Sequence, residues 1–284
     1  MTKPTADVMK VRTGSTKATT HDYHEKFKIN DFELEFISAG HVVGSAMIEC
    51  NGLLYTGDYN PYGTVTSGKA EPQECETLIV ESTYGKPDQT LPDRNEVLED
   101  LQAWIGATSA NGGGIIGAYS LGKAQEVIAT ANTAGIVPAV SNEVGSVSDV
   151  YKKYKVPLEY NRYEDLDDNE KNKPGLLVTS TSATSGKKPD TAVQELRRNG
   201  AKVARVSGWC AFAKWALRGV DAGFPISDHA DFADTMRFVE ECNPKQVYTV
   251  HGSTKELAKQ IEKKLGIKAR PLPKYGEVAI EDYN

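Results

Sequence analysis

Three of the five histidines lie in turns of small residues that follow strand-like or apolar stretches. His41 sits in Ser38-Ala-Gly-His-Val-Val-Gly-Ser-Ala46, His229 in Ile226-Ser-Asp-His-Ala-Asp231, and His251 in Tyr248-Thr-Val-His-Gly-Ser253. Two carboxylates have the same setting: Asp58 in Thr56-Gly-Asp-Tyr59 and Glu81 in Val80-Glu-Ser-Thr-Tyr-Gly85. Side chains at strand ends converge on one rim of a packed sheet, where sites are built. Imidazole and carboxylate are the ordinary ligands of zinc, and a carboxylate can bridge two metals. A single histidine in such a turn is more often a hydrogen-bonded structural residue, and a single acidic strand end is usually solvated. The joint pattern of three histidines and two carboxylates favours a metal site over five separate coincidences.

The elements needed to hold these residues can be read from the spacing of apolar positions. Phe32–Ile37 alternates as a half-buried strand does, and residues 46–56 form a hairpin about Asn51-Gly52. Thr77–Glu81 is a further strand, so the first 85 residues are expected to be mostly strands and loops. Val97, Leu98, Leu101, Trp104 and Ile105 have helical spacing. From about 112 to 206 strands alternate with helices, which predicts a parallel α/β layer. Tyr163–Lys173 reads as a polar surface loop. A helix over 231–242, a strand over 246–250 and an amphipathic helix over 253–265 complete the chain.

Composition bounds the alternatives. No apolar run approaches the roughly 20 residues of a membrane span, and residues 1–5 carry no apolar signal region, so a cytoplasmic protein is expected. Cys50, Cys75, Cys210 and Cys242 are far apart, without a CxxC pair, which argues against a zinc ribbon or a disulfide framework. The net charge of −6 does not advertise nucleic-acid binding, but a local basic cluster could still hold a polyanion.

Taken in order, AGHVVGSA, TGDY, VESTYG, SLGKAQE, SDHADF and VHGS resemble the motifs of the β-CASP nucleases. These are metallo-β-lactamase-fold enzymes that cut nucleic acids. Within them the chain is similar to archaeal mRNA 3′-end-processing-factor-like and DNA-ligase-associated exonuclease-like proteins. The resemblance covers nearly the whole chain. It implies an α/β architecture: a truncated αββα sandwich over 1–104 and 207–284, with a smaller parallel α/β domain inserted at 105–206. It further implies two zinc ions, with His41 on the first, His251 on the second and Asp58 bridging them. Glu81 would hydrogen-bond near the site, and His229 would act as general acid.

Other residues have two readings. Asp228 either orients an imidazole or caps a helix beginning at Ala230, and capping is the simpler expectation. Ser120 and Lys123 open a helix after a glycine-rich strand, where backbone amides attract phosphate; the plainer reading is a cap and a surface lysine. Trp209, Phe212 and Trp215 could stack on a base, although core packing is the ordinary use of such a group.

The family also carries a His-x-His-x-Asp-His motif that supplies two ligands to each zinc, and it does not occur in this sequence. His21-Asp-Tyr-His24 has the wrong order to replace it and is expected to be a surface loop. His41 with Asp58, and His251 with Asp58, leave two ligands per ion, fewer than a tight site takes. Strands absent with the motif would leave an apolar sheet surface, to be covered by a homodimer mate or by a second chain supplying them. The expected function is a zinc-dependent exo- or endonuclease on single-stranded RNA or DNA, in RNA processing or DNA repair. The alternative is an inactive nucleic-acid-binding or partner subunit of the same family.

Overall fold

The computed structural model of the chain describes residues 1–185 and 190–273. The stretch before residue 85, mostly strands and loops, also holds one helix that apolar spacing did not reveal. Helix α1 (Lys3–Thr13) is capped by Thr2, has proline in its first turn, and ends at Gly14 in the left-handed conformation. A threonine cap followed by proline is a genuine helix-start signal.

Strands β1 (Lys26–Ile29), β2 (Phe32–Ser38), β3 (Ala46–Cys50) and β4 (Leu53–Tyr55) form an antiparallel meander. Asn51 and Gly52 join β3 to β4, both at positive φ (51° and 82°), as a tight hairpin turn requires. Strand β5 (Thr77–Glu81) then leads into the inserted layer. That layer runs α2 (Arg94–Ala110), β6 (Gly114–Ala118), α3 (Lys123–Thr133), β7 (Ala139–Val140), α4 (Asn142–Lys153) and β8 (Asn161–Arg162). It continues with α5 (Asp168–Asn172), β9 (Leu176–Ser180), α6 (Thr181–Thr184), α7 (Thr191–Arg198), β10 (Lys202–Val206) and β11 (Ala222–Phe224). The chain returns through α8 (Phe232–Cys242), β12 (Gln246–Val250), α9 (Thr254–Leu265) and β13 (Lys268–Pro271). The segment expected as a loop at 163–173 contains α5, started by the reciprocal Asp167–Glu170 capping pair.

Two sheets result. The first has the order β1-β2-β3-β4-β5-β12-β13, and β4, β5, β12 and β13 run parallel. The second has the order β11-β10-β6-β9-β7-β8 and is parallel throughout. Strand β11 thus joins the second sheet beyond residue 206, and α2, which begins before residue 105, packs on that sheet through Val97, Leu101 and Ile105. The second sheet is covered on both faces. Ile116, Val178 and Ala204 meet α2, α3 and α4, whereas Ile115, Leu177 and Val203 meet α7. A parallel sheet buried on both faces explains the continuous apolar runs of its strands.

The first sheet is covered differently. Met47, Leu54, Leu78, Val80 and Val247 pack on α8 and α9 through Phe238, Val239, Leu257 and Ile261. Its other face carries Phe36, Ile48, Tyr55, Ile79 and Tyr248, aligned strand to strand by register. Ile48, Tyr55, Ile79 and Tyr248 are only half-buried, and none of the five belongs to a buried cluster among the described residues. Adjacent residues therefore make a direct test. Leu78→Ala is expected to cost about 2–5 kcal/mol, the range for a fully packed aliphatic side chain. Ile79→Ala should cost well under half of that in the same urea titration. Equal losses would show that the second face is covered in solution.

Candidate metal and nucleic-acid site

The parallel strands of both sheets end on one cleft. Asp58 follows β4, Glu81 ends β5, Tyr119 and Ser120 follow β6, and Ser207 follows β10. In open α/β sheets ligands bind at the carboxyl ends of the strands. A cavity of about 240 Å³ lies there, lined among others by Arg12, His41, Tyr84, Tyr119, Trp209 and His229.

His41 is fixed at three points. Its backbone N–H and that of Val42 donate to Ser45 Oγ, each at 3.1 Å, and its Nδ1 lies 2.9 Å from the Asp228 carbonyl. With Nδ1 donating to that carbonyl, Nε2 is left as the free lone pair, 3.9 Å from Asp58 Oδ2. Burial, then the neighbouring His229, holds the His41 imidazole below its ordinary pKa, which keeps it in the ligand form. The His41 and His229 rings lie with centroids 4.5 Å apart.

Glu81 is buried at 1% exposure, so it is no solvated strand end. It accepts from Tyr59 N at 2.9 Å, from His229 Nδ1 at 2.9 Å and from the Thr83 hydroxyl. Burial opposes its ionisation, but the His229 charge and these hydrogen bonds outweigh that, and its pKa is lowered. For His229 burial likewise opposes the charged form, and the charge and hydrogen bond of Glu81 outweigh it, so the imidazole pKa is raised. The Tyr59 bond also holds the Gly57-Asp58 turn against the end of β5.

Ligand atoms of His41, Asp58 and His229 all lie within 4.8 Å of one another. His41 and Asp58 are donors of the kind zinc takes, and His229 is close enough to act on a group held between them. Both histidines also have the second hydrogen bond that orients metal-bound imidazoles, one to a carbonyl and one to a carboxylate. The donor set therefore fits zinc. It differs from the expectation in its histidines. His229, expected as a general acid, stands in the group, and His251, expected as a ligand, does not. His251 is exposed, in a backbone turn at φ 54° directly after β12. His21 and His24 lie apart too: His21 stacks on Phe27 and bonds Glu25, and His24 bonds Glu35.

Three further expectations change. Helix α8 begins at Phe232 with Asp231 as its cap, so Asp228 caps nothing. Its carboxylate instead takes the Lys123 ammonium at 3.0 Å, inside the protein. Ser120 is no cap either, because α3 starts at Lys123 after Gly122, whose N–H donates to Gln125 Oε1 at 2.8 Å. Gly122 has φ 89°, and a Cβ there would stand 2.7 Å from Asp228 Oδ2, so glycine permits this close approach. Lys123 is 5% exposed rather than a surface lysine. Trp209, Phe212 and Trp215 are not core residues: Trp209 and Phe212 pack on Tyr84, and Trp215 is 54% exposed. Sequence reasoning missed Arg12, Tyr84 and Tyr119, which line the cleft. Of these, Tyr84 stands inside the VESTYG run and Tyr119 directly before SLGKAQE, whereas no motif pointed to Arg12.

Residues 223–271 match the Zn-dependent metallo-hydrolase RNA specificity domain. Over 233 residues the chain is 29% identical to a protein named "Probable DNA ligase" of Opitutus terrae, covering 80% of this chain and 22% of that one. It is 37% identical to the "RNase J-like protein" of Methanocaldococcus jannaschii over 39% of this chain and 28% of the relative. With the "Transcription termination factor FttA" of the same organism the identity is 38% over 34% of this chain and 17% of the relative. The chain thus spans under a third of the length of each of these relatives. In fold it is similar to a crystal structure of an Enterococcus faecalis protein of unknown function. The TM-score is 0.62 at 13% identity, over 98% of this chain and 74% of that one. No helix among the described residues is long and apolar enough to cross a membrane. Its motifs, its two-sheet fold and these matches support a likeness to the metallo-β-lactamase-fold β-CASP nucleases.

Proposed function

We propose that the chain forms the substrate-facing part of a zinc-dependent phosphodiester hydrolase acting on single-stranded RNA or DNA, in RNA processing or DNA repair. The observation that carries this reading is the convergence of His41, Asp58 and His229 at the cleft where both sheets end. His41 and Asp58 would hold zinc, and His251 is retained as a candidate for a second ion. When bound, zinc supplies electrophilic stabilisation for the charge that develops at a phosphodiester. The rest falls to the chain's own groups. Glu81 holds His229 Nδ1, so Nε2 faces the cleft, and the raised pKa favours a proton on the ring that can be given to a leaving oxygen. Ser120 and Lys123, at the end of β6, are the proposed phosphate contacts from the inserted layer. That layer would run from α2 to β11.

A wider groove of about 760 Å³, with Tyr62, Val65, Leu91 and Arg94 in its walls, also reaches His229. A single strand could pass from it into the smaller cleft. The half-buried row from Ile48 to Tyr248 is the place for the expected partner, a layer of strands from a second chain or a second copy. That partner could bring further metal ligands. Four free cysteines suit the reducing cytoplasm, where we place the protein.

The roles separate in one experiment. His229→Ala should abolish cutting while zinc per chain, read by elemental analysis, stays near the wild-type value. His251→Ala should lower the zinc content. Equal zinc loss in both variants would move His229 from proton donor to ligand. A wild-type chain that binds oligonucleotide without cutting, even with zinc, would favour the non-catalytic subunit.

A further inference from the structure

The small cleft has a chemical composition that a metal site alone does not need. Tyr119, which follows β6, is 51% exposed, and the Lys123 ammonium lies 5.2 Å from its ring centroid. Trp209, held by Tyr84 at 5.1 Å between ring centroids, lines the same cavity. Arg12 stands at its rim, on the last turn of α1. It is exposed, and its guanidinium has no hydrogen-bond or ion-pair partner among the described residues.

An exposed aromatic ring backed by a cation is a stacking platform, and every nucleobase offers a π-face to one. A free guanidinium at the mouth of the same cavity suits a phosphate, which it can bind bidentately. A cavity of about 240 Å³ has no room for a base still paired in a duplex. We propose that this cleft is a subsite for one unpaired nucleotide, its base on Tyr119 and its phosphate on Arg12. The inference rests on the nuclease reading and deepens it. It makes single-strandedness a property selected by Tyr119, and it makes base identity largely irrelevant, since stacking is tolerant of sequence.

The two contacts have separable signatures. Stacking is insensitive to salt, whereas each phosphate contact on a single strand contributes about 0.7 to the slope of log affinity against log salt. The test is fluorescence anisotropy with labelled oligo(dT) and oligo(U), and with a labelled duplex hairpin, in chelator so that no cutting occurs. Both single strands should bind and the hairpin should not. Tyr119→Ala should weaken binding roughly ten-fold with the salt slope unchanged, and Tyr119→Phe should restore it. Arg12→Gln should lower the slope by about 0.7. Both residues are exposed, so neither change threatens the fold. Wild-type affinity and slope in Tyr119→Ala and Arg12→Gln would overturn the subsite and leave the nuclease reading intact. A wild-type chain that binds neither single strand would overturn both.

Discussion

Lys123→Met should destabilise the protein by about 3–5 kcal/mol, the cost of leaving one partner of a buried ion pair alone. Lys123 and Asp228 are 5% and 2% exposed, with Nζ 3.0 Å from Oδ2. Asp228 Oδ1 has no hydrogen bond, so the ammonium is the principal compensation for that carboxylate. Methionine keeps the length and removes the charge. The loss should come back in large part when Asp228→Asn is added, because no unpaired charge then remains. Urea denaturation of the two single variants and the double variant measures this directly. A loss below about 1 kcal/mol for Lys123→Met would mean that water reaches Asp228 and that the pair behaves as a surface bridge. The same variant should lose zinc affinity, because the Asp228 carbonyl that orients His41 belongs to the residue whose side chain has been released.

Glu81→Gln should lower the His229 pKa and slow cutting by roughly 10²- to 10⁴-fold, the usual contribution of a positioned general acid. The amide removes the negative charge that offsets the burial of His229. Stability should change with pH in a definite sense. The Glu81 pKa is lowered from 4.5, so its contribution is present above 4.5 and is lost as pH falls through the folded-state value. The His229 pKa is raised from 6.5, so its contribution is present below 6.5 and is lost as pH rises through the folded-state value. The pair therefore stabilises most between pH 4.5 and 6.5. Thermal midpoints recorded across that range should form a hump in the wild type that Glu81→Gln flattens. Parallel profiles, or an unmoved His229 titration by NMR, would remove Glu81 from this role.

Legibility in the sequence followed the reach of each interaction. His41, Asp58, Glu81 and His229 were recognisable because each closes a strand-like or apolar stretch, a local feature, and motif order tied them together. The alternation from β6 to β10 was legible for the same reason. What was not legible depends on distant contacts. Nothing near Lys123 or Asp228 in the chain says that they meet across 105 residues, so a cap and a surface lysine were the natural local expectations. His251 also ends a strand, but its side chain is directed by a backbone turn at φ 54° that apolar spacing does not encode. Trp215 looked like core material, and its exposure follows from sitting on a short 3₁₀ turn at the surface. Helix α1 was signalled by Thr2 and Pro4, but its apolar positions are too few to show helical spacing.

The contacts that define the site also join very distant parts of the chain. His41 reaches Asp228 across 187 residues, and His229 reaches Glu81 across 148. Closing such loops costs entropy before any contact forms, and structures built on them are reached late in folding. The apolar cluster of the first sheet itself includes Ala230, Phe232 and Phe238, so it is completed together with the segment that carries His229. The site then completes only when the segment carrying Asp228 and His229 docks against β2 and β5. During synthesis no ribosome-bound intermediate shorter than that segment can hold a finished cleft, so any cutting ability switches on after nearly all of the described chain has emerged. The same property makes the cleft a sensitive reporter of native structure. Partial opening between the sheets would disperse its ligands while both cores remained intact.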